Sequence, residues 1–193
     1  MARLSAIGPK RRPIAVGSTM RRIFASAWCA EYRPWLEEIF REAGQFGVAV
    51  RGGVEQVGLW ARLHLEVGHW LVALDAANAF NSVSRATMFR SLATVLPCLL
   101  LFVGKLYGGE PSSLFFRMDS GDVRNIPSRT GAQQGDPLAV VLFCIAILPA
   151  LRSFRNRAAG TPGIAYVDDI VTAPAAITPA AMADFASLRA GLA

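Results

Sequence analysis

The stretch GIAYVDDIVTA, residues 163–173, places two adjacent aspartates between two short runs of β-prone residues. Such runs on either side of a polar pair predict a β-hairpin, with Asp168 and Asp169 at its tip. A third aspartate follows a comparable run, because the apolar residues 69–74 predict a buried strand that ends at Asp75. If these strands are neighbours, the three carboxylates meet at one edge of a sheet.

Three carboxylates at one sheet edge suit a pair of hard divalent cations. Mg²⁺ prefers oxygen ligands and commonly takes only one or two protein carboxylates, which leaves positions for water and substrate phosphates. Two such ions roughly 4 Å apart activate an attacking hydroxyl and stabilise the leaving oxygen in phosphoryl transfer. An aspartate after a strand is most often a turn residue, however, and Asp-Asp pairs are common on surfaces. Neither feature is specific when it stands alone.

Three motifs in a fixed order give these aspartates a context. Residues 71–83, LVALDAANAFNSV, resemble the first palm motif of reverse transcriptases, in which an aromatic residue follows the aspartate. Residues 131–138, GAQQGDPL, resemble the second motif, a Gln-Gly-Asp-Pro-Leu signature that opens a helix. Residues 165–169, AYVDD, resemble the third motif, the Tyr-x-Asp-Asp box. One match is weak, whereas three in the family's order are strong.

Two further segments support the same resemblance. The basic stretch 12–22 is similar to the fingers region of these enzymes, and the glycine-rich stretch 45–55 is similar to a segment before the palm in non-LTR retrotransposon polymerases. The resemblance therefore covers about residues 11–175 and leans towards non-LTR retroelements.

The resemblance implies roles for the residues of the first and third motifs. Asp75 and Asp168 would bind two catalytic Mg²⁺ ions, with Mn²⁺ as a substitute, and Asp169 would be a supporting third carboxylate. Phe80 would lie under the sugar of the incoming nucleotide, where its ring clashes with a ribose 2′-hydroxyl. Without the motif, Phe80 would be interpreted as a core aromatic residue.

Five further residues are candidates for contact with substrate. Gln134 and Gly135 would line the nucleotide pocket, although Gly135 is equally suited to a loop before the helix. Tyr166 would pack beneath the metal site and touch the primer. Arg21 or Arg22 would neutralise triphosphate charge by charge-assisted hydrogen bonds, and the sequence does not distinguish between them.

Helices that alternate with short strands predict an α+β domain, with helices on one face of a mostly antiparallel sheet. The resemblance implies a polymerase palm with partial fingers and no thumb. We expect a flexible lead-in over residues 1–10, partial fingers over 11–68 and a truncated palm over 69–193. The tail after Ala173 suffices for one helix, so a primer grip and a thumb are expected to be absent.

Capping, proline and turn signals predict the other elements. These are a helix over 20–43 interrupted at Pro34, a loop or short hairpin over 44–53, a helix over 54–67, a helix from the Ser84 cap to Leu96, a hairpin from 113–118 and 123–126, a long apolar helix that begins at Asp136 and Pro137, and a helix from Thr178 that ends at Gly191.

Hydrophobic residues make up 53% of the 193 residues, and the mean hydropathy is +0.36. Membrane insertion and apolar faces that pack on protein outside this chain both explain this value. The longest apolar run, residues 138–151, contains Pro149 and is shorter than the roughly 20 residues that span a membrane. We therefore expect a buried core helix and no membrane association.

Cysteine usage and the N-terminus favour an intracellular protein. Cys29, Cys98 and Cys144 are odd in number and widely spaced, so neither a disulfide framework nor a zinc site is expected. The basic residues 10–12 are not followed by the apolar stretch of a secretory signal. Location in the nucleus is implied only by the resemblance.

The charge balance agrees with a polyanionic partner. Lys and Arg total 20 against 14 Asp and Glu, a net charge of +6. The sequence leaves two candidate functions for this protein. One is the core of an RNA-directed DNA polymerase of a retroelement, which would use an RNA template, a DNA primer and dNTPs and would belong to a larger polyprotein that includes a thumb. The other is a non-catalytic retroelement remnant that serves as a nucleic-acid- or protein-binding scaffold.

Overall fold

The computed structural model describes residues 2–7, 12–76, 78–157 and 161–192. Within these ranges the chain forms strands and helices in alternation, as the predicted α+β class requires. The strands are β1 (Ala2–Ile7), β2 (Arg12–Val16), β3 (Val72–Asp75), β4 (Ser112–Arg117), β5 (Val123–Ser128), β6 (Gly163–Tyr166) and β7 (Asp169–Thr172). The helices are α1 (Thr19–Glu31), α2 (Arg33–Ala43), α3 (Gly53–Glu66), α4 (Ala79–Ser82), α5 (Arg85–Val95), α6 (Leu100–Tyr107), α7 (Pro137–Arg157) and α8 (Pro179–Leu192).

The chain divides into two compact units, each built from two separate segments. Unit 1 comprises residues 1–31 and 78–146, and unit 2 comprises residues 32–77 and 147–193. This division differs from the predicted sequence of lead-in, fingers and palm, because the chain leaves unit 1 after α1 and returns to it before α4.

Unit 1 contains a four-stranded sheet in the order β2-β1-β4-β5. Strand β1 is antiparallel to β2 and parallel to β4, and β4 and β5 form the predicted antiparallel hairpin. Ala2, Ala15 and Leu114 are buried together in this sheet. Residues 2–7, which the sequence analysis placed in a flexible lead-in, form β1 between β2 and β4; Met1 and residues 8–10 lie outside the described residues.

Unit 2 contains a three-stranded antiparallel sheet in the order β3-β7-β6. Ile170 and Thr172 of the central strand β7 are buried. Strand β3 lies at the edge, and its side chains alternate between half-buried and exposed. The prediction of a buried strand before Asp75 is thus correct for the strand and wrong for its burial, since an apolar run alone does not show whether a strand is central or at an edge.

Local sequence signals correctly predicted most of the helix ends. The break between α1 and α2 falls at Tyr32, and Pro34 lies in the first turn of α2, where a missing N–H is tolerated. The Ser84 hydroxyl accepts a hydrogen bond from the Thr87 N–H, as expected of an N-cap. Helix α8 continues through Gly191 to Leu192, so this glycine is not the predicted stop.

Helix α7 is long and apolar enough to cross a membrane by length and composition alone. Its most apolar 18-residue window is 67% buried inside the protein, however, which is typical of a core helix. Leu138, Leu142, Ile145 and Leu148 are each at most 1% exposed. The Leu138 N–H donates to Asp136 Oδ1 at 3.1 Å, so Asp136 caps the helix as predicted.

Candidate active site

Two of the predicted acidic residues face each other across the sheet of unit 2. The register pairs Asp75 of β3 with Asp169 of β7, and it pairs Asp169 with Tyr166 of β6. Side chains that are directly opposite in an antiparallel pair project from the same face, with Cβ atoms roughly 5 Å apart. Asp75, Asp169 and Tyr166 therefore form one row across the three strands.

This row lies on the open face of the sheet. Asp75 and Asp169 are exposed and Tyr166 is half-buried, whereas Ile170, the next residue along β7, is buried on the opposite face. Because side chains alternate between faces, a register slip of one residue would exchange the carboxylates with the core residues. Burial of Ile170 thus fixes which face carries the acidic row.

Asp168 occupies the turn that joins β6 to β7, next to Asp169. The turn contains only Val167 and Asp168, and Val167 has a positive φ of 59°. A β-branched residue in this left-handed region is uncommon, and such conformations cluster at functional sites. The hairpin with carboxylates at its tip is as predicted, except that Asp169 already belongs to β7.

The donor set fits hard divalent cations. Like charges directly opposite on paired strands repel, so the juxtaposition of Asp75 and Asp169 is unfavourable unless a cation offsets it. In the described part of the chain, no three Asp, Glu, His or Cys side chains converge into a metal-binding group. Mg²⁺ needs only one or two protein carboxylates when substrate phosphates and water complete its coordination. The three aspartates therefore do not converge as one group, and the opposed pair of Asp75 and Asp169 is the donor set that the strand register supports.

The predicted sugar-contacting residue, Phe80, lies in unit 1 on α4. Its ring stacks on the ring of Phe143, with centroids 5.0 Å apart and an interplanar angle of 29°. The Ala132 N–H donates to the Phe80 carbonyl at 2.7 Å, and a Cβ on Gly131 would lie 2.3 Å from the same oxygen. The first residues of the second motif are thus held against the turn that carries Phe80, and glycine at 131 permits the close approach.

Arg21, one of the two predicted triphosphate ligands, is engaged within unit 1. Its guanidinium forms a salt bridge with Asp136, and the two side chains are 16% and 3% exposed. Arg21 also donates to the Tyr107 hydroxyl at 3.1 Å, and that hydroxyl donates to Asp136 Oδ2 at 3.0 Å. We name Arg21, Tyr107 and Asp136 the buried triad. Arg22, by contrast, is exposed and forms no ion pair within the described ranges.

Burial dominates the electrostatics around the buried triad. Burial, and then the charge of Asp136, raises the pKa of the Tyr107 hydroxyl well above its usual range. The same two causes in the same order raise the pKa of the Cys29 thiol to about 11. Both groups are therefore neutral at physiological pH, and among the described residues Arg21 is the ion-pair partner of Asp136.

Gln134 and Gly135 adjoin the buried triad along the chain. The Gln134 carbonyl accepts a hydrogen bond from the Ala15 N–H at 2.7 Å. Gly135 has a φ of 104°, and a Cβ there would lie 2.7 Å from the Ala15 carbonyl oxygen. The glycine is therefore required by the backbone of β2 in addition to any substrate, and its predicted place in the nucleotide pocket stays a prediction.

The predicted site residues are thus divided between the two units. Unit 2 carries the acidic group, which consists of Asp75, Asp168, Asp169 and Tyr166. Unit 1 carries the remaining predicted residues, which are Phe80, Gln134, Gly135, Arg21 and Arg22.

Three supporting residues escaped the sequence analysis. The guanidinium carbons of Arg21 and Arg85 lie 5.3 Å and 5.2 Å from the centroid of the Tyr107 ring. Arg85 also donates to the Gly131 carbonyl at 3.1 Å and so holds the first residue of the second motif in place. Gln45 forms hydrogen bonds with the backbone of Val167 in the turn between β6 and β7 (Val167 and Asp168), which we name the acidic turn. Only Gln45 had a signal, since it opens the glycine-rich stretch that resembled polymerase sequences.

Comparison with solved structures identifies the fold. Apo telomerase from Candida tropicalis, truncated from its C-terminal domain, superposes with a TM-score of 0.65 at 11% identity over 98% of this chain. Telomerase from the same organism, in complex with the TWJ fragment of telomeric RNA, gives a TM-score of 0.69 at 11% identity, again over 98% of this chain. The chain has the reverse-transcriptase palm fold of these proteins and spans 45% and 39% of their lengths.

Sequence comparison places the chain in a family. No curated protein sequence matches it. The family model described as reverse transcriptase (RNA-dependent DNA polymerase) matches residues 10–180, which include all three motifs and both groups of site residues. The chain belongs to the reverse transcriptase (RNA-dependent DNA polymerase) family.

Proposed function

We propose that this chain is the polymerase core of a retroelement reverse transcriptase of the non-LTR type. It would add dNTPs to a DNA primer along an RNA template, within a larger polyprotein that acts inside the cell, and in the nucleus as such elements do. The observation that carries the proposal is the pairing of Asp75 with Asp169 beside Asp168, on the open face of a hairpin sheet. A purely structural sheet has no reason to oppose two carboxylates.

Asp75 and Asp168 would hold two Mg²⁺ ions, with Asp169 in support and Mn²⁺ as a substitute. When bound, such ions activate the primer 3′-hydroxyl and stabilise the leaving oxygen. The protein itself positions the carboxylates and the primer end. The β3-β7 register holds the carboxylates on one face, and Tyr166, next to Asp169 in the same row, would support the primer end.

The residues of unit 1 would bind the incoming nucleotide. Gln134 and Gly135 would line its pocket, and Phe80 would lie under its sugar. Phosphate contacts should dominate nucleic-acid binding, in agreement with the net charge of +6, so affinity should fall steeply as salt is added.

Primer extension tests the proposal. The chain is incubated with an RNA template, a labelled DNA primer, dNTPs and Mg²⁺, and a parallel reaction contains EDTA. Template-directed extension that EDTA abolishes is the expected result. Extension no greater than the EDTA background would contradict polymerase activity in this chain and would favour the scaffold function instead.

Arg22 is the better candidate for the triphosphate contact, because Arg21 is already neutralised by Asp136. Replacing Arg22 with alanine should raise the KM for dNTP about tenfold, the cost of one charge-assisted hydrogen bond of about 1.5 kcal/mol. Steady-state primer extension at varied dNTP measures this. The matched control is Arg90→Ala, another exposed arginine of unit 1, which donates to Thr87. Equal KM values in the two variants would exclude Arg22.

Phe80 should set the choice of sugar. Replacing it with valine should raise the ratio of rNTP to dNTP incorporation about 10–100-fold, because a smaller side chain leaves room for the 2′-hydroxyl. The ratio of the two kcat/KM values is the measurement. Phe24→Val is the matched control, since Phe24 is an exposed phenylalanine of α1 in unit 1 that has no predicted contact with the nucleotide. Unchanged rejection of rNTPs by the Phe80 variant would contradict the assignment.

A further inference from the structure

The acidic turn of unit 2 depends on a residue in an unfavourable backbone conformation. Val167, which directly precedes Asp168, has a φ of 59°. A β-branched side chain is strongly disfavoured there, so the surrounding structure must hold the residue in place. Whatever holds Val167 also determines the direction in which the chain enters Asp168 and Asp169.

The side chain of Gln45 holds Val167 through both ends of its amide. Gln45 Nε2 donates to the Val167 carbonyl at 2.9 Å, and Gln45 Oε1 accepts from the Val167 N–H at 2.7 Å. Oε1 also accepts from the Gly47 N–H at 2.9 Å. Gln45 is 0% exposed. A primary amide carries the donor and the acceptor that this pair of bonds needs, whereas an apolar or carboxylate side chain supplies at most one of them.

Gln45 is itself anchored by the end of α2. The Gly44 N–H donates to the Arg41 carbonyl and the Gln45 N–H donates to the Phe40 carbonyl, at 3.1 and 2.8 Å. With Gly44 at a φ of 79°, these bonds form a Schellman motif. Phe40 is 0% exposed, so the helix end that carries Gln45 is packed in the core of unit 2.

The backbone around Gln45 also pairs with β6. The Ala165 N–H donates to the Gly44 carbonyl and the Phe46 N–H donates to the Ala165 carbonyl, each at 2.7 Å. Residues 44–46 therefore lie alongside β6 as a short parallel partner, and the predicted loop or hairpin here is a loop with a single bridge. The helix end and the strand together leave Gln45 little freedom.

Gly47 completes the contact by lacking a side chain. A Cβ at this position would lie 2.4 Å from the Val167 nitrogen and 2.5 Å from Val167 Cγ2. The Gly47 backbone thus lies directly against Val167. The Gln45 side chain and the Gly47 backbone therefore pack directly against the acidic turn. Gln45 and Val167 are 122 positions apart in the sequence.

We propose that Gln45 is a positioning residue that holds Val167 at its positive φ and thereby sets Asp168 and Asp169 in the arrangement that binds divalent cations. This inference rests on the proposed function, since it concerns the same metal-binding carboxylates. Gln45 is fully buried, so its effect on the carboxylates would pass through the backbone of the turn.

Replacing Gln45 with methionine, which has similar length and no matching donor or acceptor, should weaken cation binding about 10–100-fold, as loss of a residue that orients metal ligands typically does. The affinity for Mn²⁺ is measured by electron paramagnetic resonance on the chain alone, without nucleic acid or nucleotide. Gln56→Met is the matched control in unit 2. The Gln56 amide accepts a hydrogen bond from Arg41 and donates one to the Arg51 carbonyl, so its loss removes comparable bonds at another place in the unit. The affinity of this control should equal that of the unsubstituted chain.

A second substitution separates positioning from general support of the fold. Glycine adopts a positive φ without steric cost, so Val167→Gly should restore most of the Mn²⁺ affinity in the Gln45→Met chain. In a double-mutant cycle the two changes should be strongly non-additive. If the losses simply add, or if Gln45→Met binds Mn²⁺ as tightly as the unsubstituted chain, the inference is overturned.

The two proposals fail in different ways. A chain that binds Mn²⁺ in an Asp168-dependent manner but extends no primer would overturn the polymerase proposal and leave the role of Gln45 intact. A chain in which Asp168→Asn leaves Mn²⁺ binding unchanged would overturn the role of Gln45, because the turn would then hold no cation.

Discussion

Asp168→Asn should reduce primer extension on an RNA template at least about a thousandfold. Asparagine keeps the size and the turn preference of aspartate but removes the charge that a divalent cation needs. A thousandfold loss corresponds to roughly 4 kcal/mol of transition-state stabilisation, within the several kcal/mol that a metal ion supplies in phosphoryl transfer. Initial rates of dNTP incorporation with Mg²⁺, at equal concentrations of folded protein, measure the effect.

The matched control for this variant is Asp119→Asn. Asp119 is exposed in the turn between β4 and β5 of unit 1, so it undergoes the same chemical change in a turn that lies outside the candidate site. The control should retain the rate of the unsubstituted chain within about twofold, because surface substitutions change stability by no more than about 0.5 kcal/mol. Equal rates in the Asp168 and Asp119 variants would show that Asp168 does not take part in the reaction.

Asp136→Ala should lower the free energy of unfolding by about 3–5 kcal/mol. Removal of one partner from a buried ion pair leaves the other charge uncompensated, and Arg21 is only 16% exposed on its side chain. The Tyr107 hydroxyl would also lose its acceptor, and α7 would lose the cap that Asp136 provides to the Leu138 N–H. Urea unfolding followed by circular dichroism gives the difference from the two transition midpoints.

The matched control for the lower free energy of unfolding is Asp119→Ala. This variant removes an exposed carboxylate that belongs to no buried ion pair in the described part of the chain. Its free energy of unfolding should stay within about 0.5 kcal/mol of the unsubstituted value. A double variant, Arg21→Met with Asp136→Leu, should recover much of the stability, since replacement of both partners by apolar groups leaves no unpaired charge. A small loss for Asp136→Ala would mean that solvent reaches Arg21.

Local rules explain why much of the fold and of the site was predictable. The Ser84 cap, the Asp136 cap and the proline in the first turn of α2 each depend on residues within one helical turn. The hairpin around Asp168 depends on two adjacent β-prone runs joined by a tight turn. These features put the second and third motifs at a helix start and at a hairpin tip before any tertiary contact is considered.

Long-range contacts explain what the sequence analysis missed. Strand β1 pairs with the neighbouring strand β2 and also with β4, which lies far along the chain, and no local pattern in residues 1–10 indicates that second partner. Tyr107 and Asp136 are 29 positions apart, and Gln45 and Val167 are 122 positions apart. A sequence motif can mark Asp136 or Gln45, but their structural roles depend on which distant atoms they meet.

The interleaving of the two units affects when the acidic row can form during synthesis. The Thr172 hydroxyl of β7 donates a hydrogen bond to the Val72 carbonyl of β3, and the two residues are 100 positions apart in the sequence. In the described sheet, β7 is the only strand that neighbours β3. At a translation rate of about 5–20 residues per second, β3 would leave the ribosome roughly 5–20 s before its partner is synthesised. A nascent chain released in that interval carries Asp75 but no opposing carboxylate. Premature termination would therefore yield a protein with an unpaired strand edge, exposed to aggregation, and without a complete metal site.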